Sequence, residues 1–340
     1  MPERPIERLW ESGAFAAQFL RASLAPASWL YDAGVRARNA AYDRGWLPSH
    51  ALGLPTVSVG NLTVGGTGKT PMASWFARRV LAEGGRPAVL LRGYGADEPQ
   101  VHRALAPGAI VLAGGDRART AEVARSAGAT ALVLDDGFQH RSVRRDADVA
   151  LLSADRKGTA RLLPAGPWRE GERSLRRATH LVVTRKQVTL ADARLVAVAA
   201  ARVAPAAQVA IVHLAPGELV RWRDHARAGL VELAGRSVLA VSGIGDPRSF
   251  EAAMCDTGAT VTPRTYADHH AFSGHQVVGL AREAERVEYV VCTLKDAVKL
   301  GPIWPPSAPP LWYLSQDVRI EFGAEALEEI ISRLAGHTHD

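Results

Sequence analysis

The stretch VSVGNLTVGGTGKTP, Val57 to Pro71, decides how the rest of the chain is read. A short β-rich run ends in a glycine-rich turn, and Lys69 and Thr70 stand where a helix would open. This is the setting of a phosphate cradle, in which glycines let backbone N–H groups approach an anion and the helix N-terminus adds its dipole. There Lys69 reaches the β- and γ-phosphates and Thr70 puts its hydroxyl on Mg²⁺. The usual pattern GxxxxGK[ST] asks for a glycine five places before Gly68, where this chain has Thr63. Gly65, Gly66 and Gly68 still supply three permissive positions. A purely structural glycine turn is the alternative.

Working outward, a phosphate loop needs a metal-holding carboxylate at the end of a neighbouring strand, and ALVLDDGFQH (Ala131 to His140) provides it. Ala131 to Leu134 reads as a buried strand, with Asp135 and Asp136 at its C-terminal end, where open α/β sheets bind ligands. One or both would hold Mg²⁺ directly or through water. Adjacent acids at a strand end also serve simply as turn formers.

The remaining pattern alternates short β-rich runs with helical ones. Strands are expected at Thr56 to Val59, Pro87 to Leu91, Val149 to Leu152 and His180 to Thr184, with helices at Met72 to Glu83 and Arg117 to Ser126. Such alternation builds a parallel sheet with helices on both faces. A second series follows an alanine-rich helix near Arg194 to Pro205 and a strand at Gln208 to Leu214. It comprises strands at Val238 to Ser242, Val261 to Tyr266 and Tyr289 to Cys292, helices from Pro247 and from Gly274 to Arg286, a proline-rich loop and a closing helix at Glu325 to Leu334. The fold class expected is α/β: a P-loop NTPase-like parallel-sheet domain over residues 48–215 and a second, smaller Rossmann-like α/β domain over residues 216–340. Residues 1–47 form a separate helical segment.

Composition bounds the function. The 340 residues are 47% hydrophobic and 22% charged, an ordinary soluble balance, and two cysteines, Cys255 and Cys292, argue against a disulfide framework. The net charge of +6 is concentrated between Arg141 and Lys186, where 12 Lys and Arg stand against 5 Asp and Glu. That surface suits an anionic partner, or is a solvated arginine-rich face. Few aromatics are interleaved with it, which weighs against single-stranded nucleic acid.

At the N-terminus Ile6, Leu9, Trp10, Ala16, Ala17 and Leu20 recur at roughly helical spacing, with Gly13 as a gap, and Phe15, Phe19, Trp29, Leu30 and Tyr31 add bulk. Arg21 and Asp32 leave the run short of the ~18 apolar residues of a spanning helix. Gln18 and Arg21 break the apolar core of a signal peptide cleaved near Ala25 to Ala27. An interfacial helix on a membrane is expected, with a helix that caps the core as the alternative.

Three loops add chemistry. RGYGADEP (Arg92 to Pro99) puts Asp97 beside a glycine-rich turn. LPAGPWREG (Leu163 to Gly171) holds Arg169 and Glu170 between prolines and glycines. ADHHAFSGH (Ala267 to His275) offers three histidines at a spacing that fits no common zinc pattern, so an acid, base or orienting role is expected.

Taken in order, SWLYDAGVRARNAAYDRGWLP, VGNLTVGGTGKTP, RGYG, DEP, DDGFQH, LPAGPWRE, ADHHAF and CTLKDAVKL resemble the tetraacyldisaccharide 4'-kinases of lipid A synthesis over nearly the whole chain. That family's loop reads VGN followed by GGTGKT, so Thr63 is its normal variant. The resemblance implies transfer of the ATP γ-phosphate to the 4'-hydroxyl of a tetraacylated glucosamine disaccharide 1-phosphate, at the cytoplasmic face of the bacterial inner membrane, with the active site in a cleft between two α/β domains. It implies that Thr63, Val64, Gly65, Gly66, Thr67, Gly68, Lys69 and Thr70 hold ATP, that Thr70, Asp135 and Asp136 serve Mg²⁺, and that Gln139, His140, Arg169 and Glu170 line the site. Asp97, on the nucleotide domain, and His269, on the second, would form the pair that activates the hydroxyl once the domains close. The basic segment suits the substrate's 1-phosphate, the N-terminal helix suits a glycolipid whose acyl chains stay in the bilayer, and no nucleic-acid partner is implied. Two departures stand out: the insertion usual between RGYG and GDEP is short here, and Leu294 replaces a glutamate. A nucleotide switch or ATPase acting through a protein partner is the alternative, because related loops serve such roles.

Overall fold

The structure is a computed structural model and describes residue 10, residues 14–93, residue 95, and residues 97–156 and 160–336. Ile6, Leu9 and Gly13 of the N-terminal stripe, Tyr94 and Ala96 of RGYGADEP, and Lys157 of the basic segment lie outside these residues. The chain divides into two compact units. The larger takes in the described residues of 6–94, 102–213 and 318–340, and the smaller those of 95–101 and 214–317.

In the larger unit β1 (Thr56–Asn61) lies parallel between β5 (Ala147–Ser153) and β4 (Ala131–Asp135). Beyond β4 follow β2 (Pro87–Leu91) and β3 (Ile110–Ala113); beyond β5 follow β6 (His180–Arg185) and the first residues of β7 (Gln208–Arg221), all parallel. Every residue of β1, β2 and β4 is buried, which is why β2 and the first four residues of β4 read as apolar runs, whereas β1 also buries Thr56, Ser58 and Asn61. Ala88 and Leu90 of β2 and Leu132 and Leu134 of β4 pack with Ala121 and Ala124 of α5 (Arg117–Ser126). That helix is started by Asp116, whose carboxylate accepts from the N–H groups of Ala118 and Arg119. Beside β4, β2 and β1 lies α3 (Lys69–Ala82), and α6 (Leu190–Val203) packs on β6. The register sets Val59 of β1 against Asp135 of β4. The turn after β1 and the carboxylate after β4 therefore meet at the same sheet edge.

The N-terminal segment forms two helices, α1 (Phe15–Ser23) and α2 (Ala25–Asp43), with Pro26 in the first turn of the second. Polar bonds fasten α2: Ser28 Oγ donates to Leu162 O at 3.1 Å, and Tyr31 OH donates to Arg169 O at 3.0 Å. The large apolar side chains Phe15, Phe19, Trp29 and Leu30 are 83%, 68%, 72% and 77% exposed. Among the described residues no helix is long and apolar enough to cross a membrane.

The smaller unit is built on parallel strands in the order β10 (Thr260–Thr265), β9 (Ser237–Ser242), β11 (Tyr289–Thr293) and the start of β12 (Leu311–Phe322). The far end of β7 pairs antiparallel with β8 (Arg227–Ala228). Its helices are α7 (Pro247–Cys255), α8 (Gly274–Ala284) and α9 (Leu294–Leu300). Leu239, Val241, Val277, Leu280 and Val290 form one core with Leu311; Val238, Phe250, Met254 and Val291 form another.

Two features depart from the domain limits read from the sequence. The closing helix α10 (Ala324–Ala335), expected in the smaller domain, packs on α3, β1 and β4 of the larger unit. Asp97, expected with the nucleotide domain, groups with the smaller unit. Helix α4 (Glu98–Leu105), β3 and β12 were not among the expected elements.

Candidate active site

Gly68, with φ of 86°, is the N-cap of α3, and Gly65 has φ of 111°. L-residues rarely adopt that left-handed region, so the turn requires glycine there. A Cβ on Gly65 or Gly66 would point into open space, leaving these positions bare to an incoming anion. Behind the turn stands Asn61, fully buried at the end of β1 and missed by the sequence reading. Its Nδ2 donates to Thr67 Oγ1 at 2.7 Å, its Oδ1 accepts from Lys69 Nζ at 3.3 Å, and its carbonyl accepts from Gln139 Nε2 at 2.7 Å. A polar residue closing a wholly buried strand was the available signal.

Not every loop residue faces a ligand. Thr63 and Thr67 are 7% and 4% exposed, with their side chains turned toward Asn61. The Val64 N–H is taken by Pro167 O at 2.8 Å. These three brace the loop against Pro167, Trp168 and Asn61, while Gly65 and Gly66 face open space.

The two acids separate in role. Asp135 is 6% exposed; its Oδ2 accepts from Thr70 Oγ1 at 3.3 Å and lies 2.9 Å from His102 Nε2. Burial opposes its ionisation, but the hydrogen bond from His102, together with the Lys69 charge, holds the carboxyl below its ordinary range. Its Oδ1 is buried with no hydrogen-bond partner. An orphaned carboxylate oxygen beside a hydroxyl fits Mg²⁺, which takes few protein ligands and completes its shell from water and phosphate. Among the described residues no cluster of three His, Cys, Asp or Glu forms a cage of its own. Asp136, in the left-handed region with φ of 54°, is instead held by Arg169 Nη1 at 2.9 and 2.8 Å, with Lys69 Nζ at 3.6 Å. Arg169 Nη1 also approaches Gln139 Oε1 at 3.4 Å. Lys69, Asp136, Arg169 and Gln139 thus form one polar cluster beside the loop. His140 follows on the same turn, where burial and the charges of Arg117, Arg92 and Arg145 depress its pKa.

Glu170 does not join that cluster, which corrects the expectation that it lines the site. It is fully buried, pairs with Arg177 at 2.7 and 3.1 Å, and accepts from Arg38 at 3.3 Å and Asn39 at 3.0 Å. Burial disfavours its charge, yet Arg177 and the surrounding donors more than compensate and lower its pKa. Glu170 ties α2 to the loop that carries Arg169.

In the smaller unit Asp97 is 8% exposed and both its oxygens lie 3.3 Å from His269 Nδ1. Burial raises the cost of ionising Asp97, but the His269 hydrogen bond and charge, its own backbone and Lys299 bring the pKa down to about 2. The Asp97 hydrogen bond raises the pKa of His269 against burial, with help from Asp268. Both members of the pair fall within the smaller compact unit. His269 has φ of 58°, so here too a non-glycine residue is held in a costly conformation. A Cβ on Gly95 would fall 2.7 Å from Asp97 Oδ1 and 3.5 Å from His269 Cε1, so a side chain there would push into the pair.

The His269 N–H donates to Gly243 O, and the Gly243 N–H donates to the buried Asp296 Oδ2 at 2.9 Å. Thr293 caps α9, accepting from Asp296 N at 3.3 Å, but the Asp296 carboxylate turns to Gly243 and the Thr293 hydroxyl instead of closing a capping box. His270 stacks on Tyr266 with ring centroids 4.7 Å apart and packs on Phe272, a structural role. Leu294 opens α9 half-buried, and nothing in the structure explains the exchange there.

Comparison with known proteins agrees with this geometry. The profile of the tetraacyldisaccharide-1-P 4'-kinase family matches residues 20–335. A tetraacyldisaccharide 4'-kinase of Anaeromyxobacter sp. (strain Fw109-5) is 39% identical over 330 residues, covering 87% of this chain and 88% of that one. The Halorhodospira halophila protein of the same name is 36% identical over 338 residues, covering 92% and 93%. The crystal structure of LpxK from Aquifex aeolicus in complex with ATP superposes with a TM-score of 0.73 at 29% identity, covering 93% of this chain and 99% of that chain.

Proposed function

The chain belongs to the tetraacyldisaccharide-1-P 4'-kinase family, and from that premise we propose that it moves the γ-phosphate of ATP to the 4'-hydroxyl of a tetraacyldisaccharide 1-phosphate, making the bisphosphorylated lipid A precursor. The observation that carries this reading is the bare glycine turn at the head of α3, with Lys69 and Thr70 beside the Asp135 carboxylate.

In this reading the N–H groups after Gly65 and the α3 N-terminus receive the phosphates, and Lys69 shifts from Asp136 onto the γ-phosphate. Thr70 and Asp135 would hold Mg²⁺, which supplies charge neutralisation on the β- and γ-phosphates. Arg169, anchored by Asp136, presents a second cation to the transferring group. A sugar hydroxyl is a poor nucleophile, so it needs an acceptor for its proton. Asp97 accepts a hydrogen bond from His269 Nδ1 and so fixes the tautomer in which Nε2, 3.7 Å from Asp268 Oδ2, takes the hydroxyl's proton. A nucleotide switch has no use for such a pair.

The exposed Phe15, Phe19, Trp29 and Leu30 give α1 and α2 an apolar surface suited to lying in a bilayer interface. In this reading the protein works peripherally on the cytoplasmic face of the inner membrane, where an acylated substrate resides and ATP is available.

The test uses purified protein, Mg²⁺ and γ-labelled ATP, with and without tetraacyldisaccharide 1-phosphate in detergent micelles. Label in a bisphosphorylated lipid, lost in Lys69→Ala, supports the kinase. Label released only as free phosphate, indifferent to lipid, overturns it in favour of a nucleotide switch.

A further inference from the structure

His102 takes no part in the mechanism above, yet it is fully buried on α4 and links two side chains of the nucleotide unit. Its Nδ1 lies 2.8 Å from Ser74 Oγ and its Nε2 lies 2.9 Å from Asp135 Oδ2. Ser74 is also fully buried, and sits one turn beyond Thr70 on the same face of α3. Three polar side chains in a dry interior are costly unless each is satisfied. A carboxylate only accepts, so His102 donates from Nε2, and Nδ1 is left to accept from the Ser74 hydroxyl. The chain Ser74, His102, Asp135 therefore has one consistent set of donors and acceptors.

Its effect falls on one atom. Oδ2 of Asp135 is occupied by His102 and by Thr70 Oγ1, whereas Oδ1 is buried with no hydrogen-bond partner. We propose that His102 is a positioning residue for the divalent cation: relayed from Ser74, it pins Asp135 by Oδ2 so that Oδ1 is presented as the ligand. The inference rests on the reading of Asp135 as a cation ligand. Partners that orient a ligand in this way typically change metal affinity by ~10–100-fold when removed.

The experiment measures Mn²⁺ binding by electron paramagnetic resonance on the full chain with a non-hydrolysable ATP analogue, beside analogue binding without metal. His102→Leu should weaken Mn²⁺ binding by at least ~10-fold and leave metal-free analogue affinity unchanged. His102→Gln, whose amide still donates to Oδ2, should recover most of the loss. Ser74→Ala should fall between the wild type and His102→Leu, and carries the test should His102→Leu not fold. The Mg²⁺ concentration for half-maximal transfer should rise by the same factor in each variant. Wild-type Mn²⁺ affinity in His102→Leu, or in Ser74→Ala if that is the variant that folds, overturns the proposal when Asp135→Asn has lost Mn²⁺. Wild-type affinity in Asp135→Asn overturns the reading beneath it as well. Equal loss in His102→Leu and His102→Gln assigns His102 to packing and rejects the positioning role.

Discussion

Replacing Asp97 by asparagine keeps the shape of the pair and removes the charge that faces His269. The Asp97 carboxyl titrates at about 2 instead of its ordinary 3.8, a gap of ~1.8 units or ~2.5 kcal/mol of preference for the charged pair at ~1.4 kcal/mol per unit. The His269 side chain is 33% exposed, so solvent screening cuts the pairwise share to about 1 kcal/mol. By reciprocity the His269 pKa, raised by its hydrogen bond to Asp97, should fall in Asp97→Asn. Following the His269 ring C–H by NMR from about pH 5 to about pH 9 reads this directly. The sign of the stability effect is also fixed. A depressed Asp97 stabilises the fold above pH 3.8 and loses that contribution as pH falls toward 2; a raised His269 stabilises it below pH 6.5 and loses it as pH rises through the elevated value. The wild type should therefore exceed Asp97→Asn in stability most clearly between those two ordinary values. Phosphate transfer should drop by ~10²–10⁴-fold in the variant with ATP affinity nearly intact. An unchanged His269 titration in Asp97→Asn would refute the electrostatic pairing, and lost ATP binding would refute the division of labour.

Lys69→Ala removes the cation between Asn61 and Asp136, and initial rates should fall by ~10²–10³-fold; a rate within tenfold of wild type rules out contact with the transferring phosphate. Glu170→Ala leaves Arg177 buried without its carboxylate and should cost ~3–5 kcal/mol in urea denaturation, whereas a role at the nucleotide would show as lost ATP affinity at unchanged stability. Phe19→Ser with Trp29→Ser removes two exposed apolar anchors, each worth ~1.5–3 kcal/mol when buried; binding to anionic phospholipid vesicles should weaken at least tenfold, and undiminished co-sedimentation assigns the exposed face some other task.

The elements that carry the phosphate site were legible because their physics is local. β2 and β4 are buried on both faces and read as apolar runs, β1 is marked by Val57 and Val59 ahead of the glycine turn, and the loop and the Asp135–Asp136 step declare themselves by spacing. β3 escaped notice because its four residues lie between glycines and are only partly buried. β12 starts after a proline-rich loop and is largely half-exposed, so its pattern carries little apolar signal. α4 is short, eight residues, and polar, so it carries little periodic apolar signal. His102 bonds Ser74 and Asp135, and Glu170 reaches Arg38 and Asn39, partners far along the chain that no local pattern encodes. Proximity of Arg169 and Glu170 in sequence suggested a shared task, while their side chains face different neighbours. Spacing alone left three histidines in ADHHAFSGH; the resemblance singled out His269, which the fold turns to Asp97 while His270 stacks on Tyr266.

The return of the chain to the larger unit has a consequence for its synthesis. α10 buries Leu327, Ile330, Ile331 and Leu334 and joins Arg79 of α3 through Glu328 at 2.9 Å. Four such side chains represent ~6–12 kcal/mol of apolar burial, comparable to the whole net stability of a typical domain. A ribosome releases residues 324–335 after residues 214–317, so the smaller unit can complete its core while the nucleotide unit still lacks a wall. The helix bearing Lys69 and Thr70 would then acquire its full support only after the smaller unit has been made. A nonsense mutation ahead of residue 324 should accordingly disable ATP binding, far from the lesion in sequence, and leave an intact smaller unit for proteases to trim free.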